Sequence, residues 1–209
     1  GPFSCKNPGM TEHHDSNDLE NLLSEIRACR VCAAAMPHEP RPVVRAAPTA
    51  RIMIVGQAPG TRVHASGKPF TDPSGNRLRD WLGVDEATFY DTSRIAIVPM
   101  GFCFPGLDAK GGDLPPRKEC APLWQARVRA ALPDVRLTLL VGQYAQRFHL
   151  GSRMQQTLTE TVRRGDAYGP EFLPLPHPSW RNNVWLKKNP WFEEKILPML
   201  RCRMKELLR

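Results

Sequence analysis

Four short apolar runs, at residues 51–55, 94–98, 137–141 and 172–176, do most to limit the folds open to this chain. Each has the length of a buried strand. Each also stops at a glycine or proline: Gly56, Pro99, Gly142, and Pro176 just before His177. Helical spacing fills the gaps between them. Leu19, Leu22, Leu23 and Ile26 mark one helix, with residues 16–18 as cap candidates, and Leu78, Trp81 and Leu82 mark a short second one. Further helices are predicted up to Leu132, from Gln143, over 157–164, and from Pro190 to the basic C-terminus, the last bent by Pro198. Short apolar strands alternating with helices predict an α/β fold, a three-layer α/β/α sandwich around a four-stranded parallel sheet. Such sheets bind ligands outside the carboxyl ends of their strands, so the residues that follow each run become the candidates for chemistry.

At 209 residues the chain suffices for one well-buried domain, expected over residues 10–209. Residues 1–9 precede Met10 and begin Gly-Pro, as after tag cleavage, so they are set aside together with Cys5. Pro37, Pro40, Pro42 and Pro48 make an irregular connector into the first strand, and residues 107–116 read as a glycine- and charge-rich loop. No apolar run approaches membrane-spanning length and no secretory signal is visible, so a cytoplasmic monomer without a membrane partner is expected. The net charge of +8 favours a polyanionic partner. Near the C-terminus Trp180, Arg181, Trp185, Lys187, Lys188 and Trp191 interleave aromatic and basic side chains, a pattern that suits nucleic acid. No P-loop or dinucleotide fingerprint is present, which leaves a metal-containing nucleotide-processing enzyme on an ordinary doubly wound fold without support.

The first run ends in Gly56-Gln57-Ala58-Pro59-Gly60 and is followed by Phe70, Asp72 and Gly75 ahead of the next helix. Glycines here would let the backbone approach a ligand, Phe70 offers a stacking face and Asp72 a negative charge. Turn chemistry alone would also account for these residues. After the fourth run comes His177-Pro178-Ser179-Trp180-Arg181-Asn182.

Cys29 and Cys32 form a C-x-x-C pair, while Cys103 and Cys120 are single. Disulfides do not suit a cytosolic protein, and a zinc ribbon would want a second close pair. Four thiolates with one close pair and two lone ligands can enclose a cubane cluster, each thiolate on its own iron. Structural zinc is the alternative. Cys202 has no evident partner and is expected to pack.

Gly56-Gln57-Ala58-Pro59-Gly60 and His177-Pro178-Ser179, in that order, resemble motifs A and B of the uracil-DNA glycosylase superfamily, and the likeness extends from about Leu19 to the C-terminus. The cysteine spacing resembles the branch that carries an iron-sulfur cluster. The resemblance implies a monofunctional DNA glycosylase that flips a deaminated or damaged base out of DNA and hydrolyses its N-glycosidic bond. By the same resemblance, His177 donates to the base oxygen, Phe70 stacks on the base, and Gly56, Ala58 and Pro99 line the base pocket. Gly60, Gly75, Ser179, Trp180, Arg181 and Asn182 meet the DNA, with Trp180 or Arg181 as the wedge. Cys29, Cys32, Cys103 and Cys120 hold a four-iron four-sulfur cluster.

Two positions depart from the family pattern. Gln57 stands where the iron-sulfur branch has Glu, and an amide can orient water but cannot accept its proton near neutral pH. Asp72, similar in place to a catalytic carboxylate of a related branch, is then expected to position water and stabilise the sugar cation. Pro99 stands where the family commonly has an Asn that reads uracil, so a different or broader choice of base is expected. His64 is similar to a sugar-trapping histidine only in lying on a loop, and is expected to face solvent. A binder of flipped bases or abasic DNA without turnover, on the same fold, is the competing expectation.

Overall fold

The computed structural model describes residues 16–209. The expected tag remnant at residues 1–9, with Cys5, and the first residues of the expected domain, from Met10, lie outside the described residues. Strands β1 (Ile52–Val55), β2 (Ile95–Ile97), β3 (Leu137–Val141) and β4 (Phe172–Leu175) form one sheet. Its order is β2-β1-β3-β4, and every neighbouring pair is parallel. Ile54 pairs with Ile97 on one side and Leu139 on the other, and Leu139 pairs in turn with Leu173.

Helices α1 (Ser16–Arg27), α2 (Thr61–Ser66), α3 (Pro73–Leu82), α4 (Glu86–Phe89), α5 (Cys120–Ala130), α6 (Gln143–Leu150), α7 (Leu158–Arg163), α8 (Asn183–Lys188) and α9 (Leu197–Leu207) surround the sheet. Alternate strand residues face opposite layers, which is why the runs are apolar throughout. Met53, Val55, Ala96, Val98 and Leu140 pack with Leu19, Leu22, Leu23 and Ile26 of α1, Trp124 and Val128 of α5, and Ala145 and Leu150 of α6. On the other face Ile52, Ile54, Ile95, Ile97, Leu139 and Val141 pack with Leu78, Trp81 and Leu82 of α3 and Leu200 and Met204 of α9. The expected three layers are therefore present.

The differences lie in short and interrupted helices. Helices α2, α4 and α8 have only four to six residues, too few for a period to show. Helix α3 begins at Pro73, capped by Asp72, so Gly75 lies inside its first turn and not ahead of it. The cap candidates at 16–18 are the first turn of α1 itself. The C-terminal helix is broken before Pro198, by a π-helical turn at Phe192–Ile196. Pro198 lacks the N–H that would meet the carbonyl four residues back, so the irregularity falls on its N-terminal side. Among the described residues, no helix is long and apolar enough to cross a membrane.

From β1 the chain crosses to β2 on one side, and from β2 it returns to β3 on the other. The carboxyl ends of β1 and β3 therefore border the point where the winding reverses, the place in such sheets where a crevice opens.

Candidate active site

A cleft of about 670 Å³ opens at that point. Its walls include Gly56, Gln57, Ala58 and Gly60 after β1, Phe70 and Asp72 before α3, Pro99 after β2, and His177, Ser179, Trp180, Arg181 and Asn182 after β4. Of the side chains expected to meet a base or DNA, all but Gly75 line it. The two distant motifs share one wall system because both follow parallel strands of the same sheet.

The corner after β1 is rigid. The Gly56 carbonyl accepts from the Met100 N–H (2.9 Å) and the Gln57 carbonyl from Gly101 N–H (2.8 Å), extending the β1–β2 ladder into the turn. Gly142, at φ 86°, crosses close behind: a Cβ there would lie 2.8 Å from Gln57 Nε2. That contact packs the end of β3 against the Gln57 amide at the crevice.

Phe70 is seated with more force than its sequence suggests. It has φ 58°, a left-handed conformation costly for a bulky residue, and its ring reaches Gly56, where a Cβ would lie 3.3 Å away. Three contacts hold it there. Arg79 Nη1 donates to the Phe70 carbonyl (3.1 Å), and the Tyr90 hydroxyl donates to the Pro69 carbonyl (2.6 Å). The Phe70 carbonyl also sits on α3 at Gly75, where a Cβ would come within 1.9 Å of it. Gly75 thus acts through Phe70's backbone without lining the cleft. Arg79 is 6% exposed and also bonds Asn76 (2.8 Å) and Tyr90 (3.3 Å), while Glu86 lies 4.0 Å away. A buried guanidinium so engaged serves the Pro69–Phe70 segment.

His177 has its tautomer set by the turn that follows. Its Nδ1 accepts the Ser179 N–H (3.1 Å), which leaves the ring proton of the neutral form on Nε2. Burial lowers its pKa below the usual histidine value, and only the Asp72 charge opposes this. Asn182 Nδ2 donates to the His177 carbonyl (2.7 Å), Ser179 Oγ accepts from the Arg181 N–H (3.2 Å), and Arg77 reaches the Ser179 carbonyl (3.3 Å). Ser179 and Asn182 therefore shape this turn as well as lining the cleft. Trp180 projects from it at 71% exposure, with the Arg181 guanidinium 5.9 Å from its ring.

Asp72 is engaged at one oxygen, accepting from Gly75 N–H (3.2 Å) as the cap of α3. Pro99 is buried, and its carbonyl accepts from Gln125 Nε2 (2.9 Å), so neither its side chain nor its main chain offers a donor to a ligand. His64 does not face solvent as expected. It packs against His38 and Phe104, with ring centroids 4.3 and 5.7 Å away, and is half-buried apart from the cleft-lining residues.

Sequence reasoning missed Asp113, Arg77 and Arg79. Asp113 is a lining residue that the chain delivers from the loop before α5. Its glycine-rich surroundings mark a loop, and no spacing ties it to the corner after β1.

The four cysteines meet elsewhere. Cys29, Cys32, Cys103 and Cys120 line one small, largely apolar cavity with Ile26, Met36, Phe102 and Trp124. Burial pushes the Cys103 thiol up to about 11 and the Cys120 thiol up to about 12, and the neighbouring cysteines add to both. Arg117 also lines the cavity and opposes the burial and the Glu119 charge that raise the Cys32 thiol. Among the described residues, no group of three or more His, Cys, Asp or Glu side chains is disposed to hold a single metal ion. Four thiols around one cavity bring together the donor type that an iron-sulfur cluster or a structural zinc would need. Cys202 is exposed on α9, so it does not pack as expected.

Comparison with known proteins gives the family of this α/β/α sandwich, whose strand-end cleft joins the two motifs. The uracil DNA glycosylase superfamily model matches residues 44–201, and the chain belongs to that superfamily. A type-4 uracil-DNA glycosylase from Sulfurisphaera tokodaii is 24% identical over 162 residues, spanning 73% of this chain and 67% of that protein. A solution NMR structure from Methanosarcina acetivorans, provisionally assigned as a uracil DNA glycosylase, aligns with a TM-score of 0.45. That alignment has 15% identity and covers 78% of this chain and 94% of the other.

Proposed function

We propose that this chain is a DNA glycosylase that hydrolyses the N-glycosidic bond of uracil or another deaminated base in DNA. The observation that carries the reading is the convergence of the rigid Gly56–Gly60 corner, the Phe70 ring and the Nε2–H of a neutral His177 on one cleft. A cleft of about 670 Å³ falls within the range of small-molecule sites and has room for an extruded nucleotide.

In this reading the flipped base stacks on Phe70, with Gly56 and Ala58 keeping the backbone close. As the C1′–N bond lengthens, electrons move to the base and positive charge grows on the sugar. His177 donates from Nε2 to the base oxygen, and a neutral donor suits an anion that must later leave. The Asp72 carboxylate supplies a negative field to the sugar. Outside the cleft, Trp180 fills the gap left in the stack and Arg181 meets phosphate. Pro99 presents no donor, which supports acceptance of more than one base.

Cys29, Cys32, Cys103 and Cys120 would hold a four-iron four-sulfur cluster. When bound, that group supplies a structural tie between α1, the loop after β2 and the start of α5.

Release of free base from a panel of single- and double-stranded oligonucleotides carrying uracil, hypoxanthine or xanthine tests the reading. His177→Ala is expected to lower the single-turnover rate by about 100- to 1000-fold. Binding without release of any base by the wild type favours the second reading, a turnover-free binder, for which the Gln57 amide and the donor-less Pro99 speak. Iron and acid-labile sulfide in the purified protein, lost in Cys103→Ala, test the cluster.

A further inference from the structure

We propose that Asp113 is the carboxylate that takes the proton from the attacking water. The inference rests on the glycosylase reading above and assigns a further catalytic residue to its site.

The cleft is lined by two carboxylates, Asp72 and Asp113. Gln57, at the corner, carries an amide that cannot accept a proton near neutral pH. Asp72 already has one oxygen engaged by the first turn of α3. Asp113 is differently placed. It lies over the corner after β1, where a Cβ on Gly60 would come within 3.4 Å of its Oδ2. No protein donor satisfies its carboxylate among the hydrogen bonds of the described residues, so its oxygens remain available to water.

The loop that carries Asp113 is fixed at both ends. The Leu114 N–H donates to the Gly106 carbonyl (3.0 Å), and Leu107 bridges to Asp113 across the loop. Further on, Pro116 packs on Gly101, where a Cβ would lie 3.2 Å from the proline and 3.4 Å from the Ala58 Cβ. The loop is thereby docked on the corner it serves.

The charges around Asp113 suit a base. Arg181 faces it from the turn after His177, Asp72 from the start of α3, and Asp108 from its own loop. Partial loss of water on its cleft side raises its pKa, Asp72 and Asp108 add to this, and Arg181 opposes it. A carboxylate with a raised pKa is a better proton acceptor than an ordinary one.

The step balances without another reactant. Water oxygen forms the bond to C1′ and gives one proton to an Asp113 oxygen. The C1′–N bond breaks with its electron pair going to the base, held by His177 Nε2–H. The proton on Asp113 then passes to the departing base or to solvent. The products are an abasic deoxyribose with a C1′ hydroxyl and the free base.

Single-turnover release from a single-stranded uracil oligonucleotide tests the assignment with Asp113→Asn, a shape-preserving change at an exposed position. The variant is expected to react about 100-fold more slowly or worse. It should keep the wild-type melting temperature and bind the same oligonucleotide equally or more tightly, because a negative charge beside phosphate is removed. The rise of the rate with pH on the acid side should flatten. A variant within about threefold of wild type, with the same pH profile, overturns the role of Asp113 and leaves the glycosylase reading standing. Rate, affinity and melting temperature falling together also overturn it, in favour of a structural role. A wild type that releases no base from any oligonucleotide defeats the glycosylase reading, and the role of Asp113 with it.

Discussion

Gly75→Ala separates this structure from ordinary helix reasoning, because the two predict opposite signs. Gly75 sits in the first turn of α3, and replacing glycine by alanine inside a helix ordinarily stabilises by about 0.5–1 kcal/mol. Here the added Cβ would lie 1.9 Å from the Phe70 carbonyl oxygen, 2.6 Å from its carbon and 2.9 Å from the Phe70 Cβ. Ordinary contact needs 3.4 Å or more, so the Phe70 backbone must move by 1.5 Å. Overpacking of this kind costs about 1–3 kcal/mol. The same movement loosens the Arg79 bond to that carbonyl, a bond to a charged group worth about 1.5–3 kcal/mol. After the propensity gain, a net loss of about 1.5–5.5 kcal/mol is expected, or roughly 3–22 °C in melting temperature for a chain of this size. Displacement of the ring across Gly56 should also slow base release by about 100-fold at temperatures where the variant is folded. Thermal melts and single-turnover kinetics on the same preparations measure both. A variant as stable as wild type or more so, with an unchanged rate, would refute the seating of Phe70 on α3.

Two further outcomes follow from individual side chains. Burial and the Arg129 charge lower His149 from 6.5 to about 4, while its Nε2–H donates to Gln125 (3.1 Å). The unfolded chain therefore binds this proton first as pH falls, and stability present above pH 6.5 is lost progressively towards pH 4, by about 3 kcal/mol. Melting temperature should decline across that window, and less steeply in His149→Gln. Trp180→Ala should leave melting unchanged, since the ring is 71% exposed, yet weaken binding to a uracil-containing duplex about tenfold. Fluorescence anisotropy with duplex and single-stranded oligonucleotides measures this, and equal affinity of the two proteins for duplex would argue against a wedge.

The sheet was readable from the sequence because a strand buried on both faces leaves a continuous apolar run, and all four runs became strands. The candidates that follow those strands, Gln57, Pro99 and His177, were likewise readable, because parallel strands deliver their ends to one edge. What escaped was built by long-range packing. Arg79 sits between Leu78 and Trp81 and reads as the polar side of an amphipathic helix, yet it is buried under Phe70. Gly75 reads as a residue ahead of the helix, and its need for hydrogen in place of a Cβ is visible only when the Phe70 carbonyl arrives. His64 reads as an open loop residue, but a short helix turns it onto His38 and Phe104.

One excursion of the chain, from the end of β2 to the start of α5, connects the two constellations. It supplies Pro99 to the cleft wall, Cys103 to the thiol cavity, Asp113 to the cleft mouth and Cys120 back to the cavity. Within it, the Phe102 N–H donates to Cys120 Sγ (3.4 Å), so its two ends touch beside the thiols. A segment anchored twice at one site and presenting its middle at another has little freedom of its own, which is the condition a loop carboxylate needs to act at fixed range. Loosening either anchor should therefore reach the cleft through Asp113 before it reaches Phe70, whose support comes from α3 and Tyr90 on other parts of the chain. In a Cys103→Ala variant, hydrogen exchange should rise across residues 106–118 while the Phe70 segment stays protected. Equal loosening of both would mean that the thiol site supports the fold as a whole and not this loop.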